Sequence, residues 1–216
     1  MRQHARHPRR LATIVASVGL LSAACTGDLL ETKLPVPTVY ILKAAPPPAT
    51  APTAPLPVDL AISEATATPG LDTERIAVIH EARRMDYYLD AQWGAALPHV
   101  VQALVVTSLQ NQNWFRSVVT EQARINTNYW LELEVRDFQA EYASEGTAPT
   151  VRVTLVGSLV RIKDRKLIGV APATITTQAT DNRLGAVIDA FDTAAQQATL
   201  SMGKQVVDLL KGETAN

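Results

Sequence analysis

A single cysteine, Cys25, stands in 216 residues. No internal disulfide can therefore brace the fold, and an exported domain of this composition would carry one free thiol unless that thiol is put to use. Excess charge is also lacking: the formal net charge is -1, so no overall basic field draws the chain onto nucleic acid. The phosphate-cradling loops are missing, since neither G-x-x-x-x-G-K-[ST] nor G-x-G-x-x-G occurs. G-x-S-x-G is absent too, and Gly157-Ser158 falls inside an alternating segment rather than on a strand-to-helix elbow, which argues against a serine hydrolase. Of four histidines, His4 and His7 precede Cys25, and His80 and His99 lie on different segments without an acidic or thiol cluster beside them. No metal set and no cofactor is expected. Glu132 and Glu134 share one face of an alternating segment, which reads as a solvated strand face rather than an acid pair. The chain is expected not to be an enzyme.

What is present begins at the N-terminus. Arg2, Arg6, Arg9 and Arg10 precede an uncharged, mostly apolar run over residues 11–24, and Cys25 follows. This is the order of a cleavable export signal, and the run falls short of the roughly 20 apolar residues that span a bilayer. Ser22, Ala23 and Ala24 before the cysteine resemble a bacterial lipobox, although the leucine, Leu21, sits one place early. The expectation is a signal peptide over 1–24 and lipidation at Cys25, with several acyl chains making attachment lasting where one would be marginal. Without the four arginines the 20 basic residues fall to 16 against 21 acidic ones, a mildly acidic protein that charge alone would not hold on anionic lipid. Thr26 rather than aspartate follows the cysteine, which favours the outer membrane over the inner, on the periplasmic side.

Eight of the 13 prolines fall within 35–57. Such composition reads as an extended tether over 25–57, interrupted by the β-prone island Val39-Tyr40-Ile41-Leu42, a short edge strand. From Cys25 to that island the chain reaches at most about 45 Å. A single domain is expected over 58–212. Strands are read at 58–65 and 75–80, an amphipathic helix over 90–113, and a short strand at 114–120. Tyr129, Leu131, Leu133 and Val135 then alternate with polar neighbours, Val151, Val153 and Leu155 repeat the pattern, and a charged turn at 163–166 leads into 167–177. These segments form an antiparallel meander. Leu184, Ile188, Phe191, Ala195, Ala198, Met202, Val206 and Leu209 step by three or four through a closing helix. The fold class is α+β, a mostly antiparallel sheet with two main helices packed on one face.

Tyr87, Tyr88 and Trp93 cluster between a strand and a helix, and Trp114 sits beside Phe115; these aromatics either line an apolar ligand or partner surface or close the core. At these residues the sequence resembles the auxiliary lipoproteins of Mce-type ABC transport systems. The resemblance is carried by Cys25, Tyr40-Ile41-Leu42, the segment from Leu71 to Ile76, Tyr87-Tyr88 with Trp93, and Leu131-Glu132-Leu133-Glu134-Val135, in that order. It implies a non-catalytic periplasmic component that works with an Mce-domain protein, a permease and an ATPase to move lipids or other apolar molecules between membranes. It also implies a membrane link through Cys25 and a possible homo-oligomeric ring. An independent lipid-binding or structural envelope lipoprotein is the alternative.

Overall fold

The computed structural model describes residues 36–50, 54–81, 83–123, 125–144 and 146–214; the signal segment and Cys25 lie outside them. The molecule is organised around β7 (Tyr129–Tyr142). Leu131, Leu133 and Val135 point into the core, as their alternation requires. A bulge between Val135 and Asp137 then shifts the phase by one residue, so that Phe138 and Ala140 become the inward pair. Without that bulge the phenyl ring would face water. Along one edge of β7 run β8 (Thr150–Arg161) and then β9 (Lys166–Gln178), both antiparallel, which is the expected meander.

The other edge of β7 is divided among β2 (Leu56–Ile62), β3 (Thr66–Ala67) and β4 (Arg75–His80). They lie in succession beside Tyr129–Leu131, Glu134–Val135 and Gln139–Tyr142, all parallel to it. β6 (Phe115–Thr120) extends the sheet beyond β2 in parallel, and β5 (Arg84–Trp93) folds back antiparallel beyond β4. Outermost, β1 (Thr38–Tyr40) lies parallel to Ala91–Trp93. The sheet is thus mixed: its long ladders are antiparallel and its short additions mostly parallel. A helix over 90–113 is not what forms. Residues 90–93 finish β5, and α1 runs Leu97–Gln112. Pro98 in its first turn suits a position whose N–H has no helical partner, and Asn113 ends it in the left-handed conformation at φ 53°.

α2 (Leu184–Thr214) buries Val187, Phe191, Ala194, Ala195, Ala198, Met202, Val206 and Leu210. The alanines bring its axis close to β8 and β9. Gly157 on β8 completes the fit, since a Cβ there would stand 2.8 Å from Leu131 and 3.0 Å from the Met202 sulfur. α1 and α2 touch and cover the same face of the sheet. The open edge on β9 is interrupted by Pro172, whose carbonyl accepts a hydrogen bond of 2.8 Å from Gln205 Nε2 of α2. A proline on an edge strand discourages pairing with another chain.

Residues 41–46, within the stretch that composition reads as tether, cross the two helices as a strap. Lys43 N–H donates to Asp192 Oδ1 at 2.8 Å, and Lys43 C=O accepts from Gln196 Nε2 at 2.9 Å. Ala45 N–H donates to Ser108 Oγ at 2.9 Å, while Asn111 and Gln112 side-chain amides donate to the carbonyls of Ala45 and Pro46, each at 2.8 Å. Helix side chains thereby supply the partners that this backbone lacks in a sheet, and Ala45 is fully buried. Burial holds the Asp192 carboxyl above its ordinary value, against the pull of the Lys43 N–H and ammonium. Asp192→Ala should therefore cost about 1–2 kcal/mol by stranding the Lys43 N–H. Asp192→Asn, which keeps an acceptor and removes the buried charge, should cost much less. Urea unfolding of the two variants checks the order.

Candidate functional site

The four aromatic residues singled out from sequence occupy three separate places. Trp93 is buried in a cluster with Phe138 of β7 and Phe191 of α2. It meets both rings edge-on, with centroids at 5.8 and 5.4 Å, and the two phenyl rings stack at 5.2 Å. Its place is the junction of sheet and helix, not a surface. Tyr87 and Tyr88 lie half-buried on β5. The Tyr87 hydroxyl donates to Gly70 C=O at 2.9 Å, and the Arg75 guanidinium lies 3.7 Å over its ring centre. Tyr142 donates to Asn182 Oδ1 at 2.7 Å. Having spent its one proton there, it accepts from Tyr88, whose hydroxyl is 2.9 Å away. Burial, and then this hydrogen bond, raise the Tyr88 phenol above its usual value. It stays neutral, a structural donor joining β5 to β7.

Trp114, between α1 and β6, lies against Gly203 of α2, where a Cβ would come within 2.8 Å of the indole. With Ala54, Leu56, Val207, Lys204, Asp208 and Lys211 it lines a concavity of about 370 Å³. Nearby, Arg161 bonds Asp164 at 2.7 Å and also pairs with Glu213, which accepts a hydrogen bond from Tyr129 at 3.0 Å. This network fastens the end of α2 to β7, β8 and the β8–β9 turn. A comparable pair, Arg116 with Asp59, ties β6 to β2, and Ser117 donates to the same carboxylate at 2.7 Å. The Arg116 guanidinium and Ser117 hydroxyl hold Asp59 down at about 2, and Arg161 does the same for Asp164, also at about 2. A carboxyl with a depressed folded value stabilises above its unfolded value and ceases to do so as pH falls through the folded one. The domain should lose stability from about pH 4 toward pH 2, and Asp59→Asn should flatten part of that decline in urea titrations at stepped pH. Asp164 is exposed and Asp59 only half-buried, so the slope is shallow.

Among the described residues, no three histidine, aspartate or glutamate side chains gather as a metal set. His80 stacks on Tyr142 at 5.4 Å, and His99 faces Glu64 at 3.6 Å. No helix among the described residues is long and apolar enough to cross a membrane. The helix-free face of the sheet carries an apolar row that the sequence reading did not single out. Trp130, Val160 and Leu167 stand directly opposite one another on β7, β8 and β9, and Val170 is opposite Ser158. Trp130, Leu167 and Val170 are exposed. The signal was available, because Trp130 occupies the water-facing phase of the alternation, where only its polar neighbours fit a solvated face.

Solved structures of the same fold include Xanthomonas campestris protein XCC0632, of the family DUF330. It is 20% identical with a TM-score of 0.72, over 83% of this chain and all of that one. A second is described only as an uncharacterized protein, 12% identical with a TM-score of 0.60, over 79% of this chain and 99% of its own. A third is the hypothetical protein CT253 from Chlamydia trachomatis, 6% identical with a TM-score of 0.51, over 70% of this chain and 96% of its own. No curated protein matches the chain. The model of the family described as ABC-type transport auxiliary lipoprotein component matches residues 40–203, and the chain belongs to that family.

Proposed function

We propose that this auxiliary lipoprotein is a non-catalytic docking subunit of an ABC transporter–Mce system that moves lipids or other apolar molecules between membranes. Acyl chains on Cys25 hold it to the periplasmic side of the outer membrane, and its partners are the Mce-domain protein, the permease and the ATPase. Copies assembled in a ring belong to the same reading.

The observation that carries it is the row Trp130–Val160–Leu167 with Val170 on the helix-free sheet face. An exposed apolar row bordered by Glu132 and Ser158 is the kind of surface that a protein partner covers. Energy and chemistry then belong to the ATPase and permease, and this subunit supplies position. A photo-crosslinking residue in place of Leu167, in cells carrying the whole transport system, should capture the Mce-domain protein. The same residue at Thr193, on the helix side, should not. Capture that is equal at the two positions, or absent at Leu167, counts against the reading.

A further inference from the structure

The corner of the sheet where β1 meets β5 is apolar and unpartnered. Leu89 is 87% exposed, Ile41 73% and Val39 54%. Tyr40 between the last two packs on the core, so Val39 and Ile41 turn outward together, and they lie side by side next to Gly94, where a Cβ would be 3.7 and 3.6 Å from them. Leu89 lies on the same edge, five positions before Gly94 and up to about 17 Å along the strand from the Val39–Ile41 pair. It is thrown outward because the pairing shifts between Arg75↔Gln92 and Ala77↔Tyr87, leaving residues 88–91 opposite Ile76 alone.

This corner is also where the chain from Cys25 enters the packed body. Thirteen positions separate Cys25 from Thr38, a reach of at most about 45 Å. A compact body of this size is about 40 Å across, so a tether of this reach lets the β1 corner, where it joins the body, lie against an anchoring membrane.

We propose that the β1–β5 corner is a bilayer-contact site, at which Val39, Ile41 and Leu89 enter the interfacial layer of the membrane that holds the acyl chains of Cys25. The proposal rests on the lipidation of Cys25 in the reading above. Tethering supplies the corner at an effective concentration on the order of millimolar, so a contact too weak to recruit a free protein is still well occupied. The charges nearest the corner are balanced, with Lys43 and Arg75 set against Glu74 and Asp90. Recognition is therefore of apolar lipid rather than of anionic headgroups, and it should persist at high salt. Contact at the corner would hold the domain in one orientation and leave the row on the helix-free face free for a protein.

Acylated Cys25 has no free thiol, so a cysteine introduced elsewhere in the full-length protein can be labelled alone. Leu89→Cys, Ile41→Cys and Leu167→Cys would each carry an environment-sensitive fluorophore, in vesicles of phosphatidylethanolamine and phosphatidylglycerol. Expected are a blue-shifted emission and several-fold stronger quenching by spin-labelled lipid at positions 89 and 41 than at 167, at low and high salt alike. Water-like emission at 89 and 41, or quenching no stronger than at 167, overturns the proposal. The mass of the N-terminal peptide separates the two ways of failing. With acyl mass present and water-like labels, the contact alone is wrong; with no acyl mass, the anchoring reading falls and the contact falls with it.

Discussion

The Cys25→Ala protein is expected in the soluble periplasmic fraction, unlabelled by palmitate, while the wild-type protein is recovered with membranes. The reasoning is one of additivity on a single side chain. Each buried methylene adds about 0.8 kcal/mol, and one myristoyl chain gives an association constant on the order of 10⁴ M⁻¹. Two or three chains on one residue make attachment lasting, and loss of that residue removes all of them together. No helix among the described residues offers a second anchor. The exposed corner at Leu89 and Ile41 does not compensate, because its occupancy depends on the local concentration that the tether creates. Cys25 precedes the described elements, the first of which is β1, and urea unfolding is expected to be unchanged. Membrane retention of the variant without lipid mass would overturn the assignment of Cys25.

Phe138→Ala should be the most damaging single change in the folded body. Phe138 is buried between Trp93 and Phe191, stacked on one and edge-on to the other, so its ring joins β5, β7 and α2. Truncating a buried phenylalanine typically costs about 3–5 kcal/mol in lost transfer free energy and residual cavity. Against a total stability of about 5–15 kcal/mol, that lowers the urea midpoint by about a fifth or more and reduces the amount recovered from cells. Trp93 keeps its edge-on contact with Phe191 at 5.4 Å, which opposes its movement into the space. Leu89→Ala, at the exposed corner, should stay within about 0.5 kcal/mol of wild type. Similar losses for the two variants would mean that the aromatic cluster is not the joint between sheet and helix.

Much of this architecture is legible in the sequence where the determinants are local. The change of period at Tyr129 marks β7, the repeat at Val151 marks β8, and the steps of three and four from Leu184 mark α2. β5 is not legible. Its register shift ahead of Ala91 erases the period of two, and the spacing of Trp93, Leu97 and Val101 then imitates the turns of a helix. No side chain at Ala96 caps α1 to mark the true boundary. The parallel ladders are equally hidden, since the partner of Leu60 is Tyr129, far along the chain. The strap reads as tether because it lies in the proline-dense stretch 35–57; its order comes from Asp192, Ser108 and Asn111 on helices that are remote in sequence. For the site, Cys25 lies outside the described residues, and residue type is ambiguous at Trp93, because a cluster of aromatics looks alike whether it closes a core or lines a groove.

The division of one edge of β7 among β2, β3 and β4 has a consequence for the order in which the chain folds. The hairpins β7–β8 and β8–β9 close over short turns, whereas the three parallel additions each join segments some sixty to seventy positions apart. Closing long loops before any pairing is gained makes such contacts late and slow. The C-terminal half is thus expected to assemble first and present an empty edge that the N-terminal half must find after export is complete. In pulse-labelled hydrogen exchange during refolding, amides of Leu155 and Leu159 should gain protection ahead of those of Leu60 and Val78. For a chain threaded across a membrane N-terminus first, the part that arrives earliest is the part that must wait, and an edge left open in that interval is where a periplasmic chaperone would have most to protect.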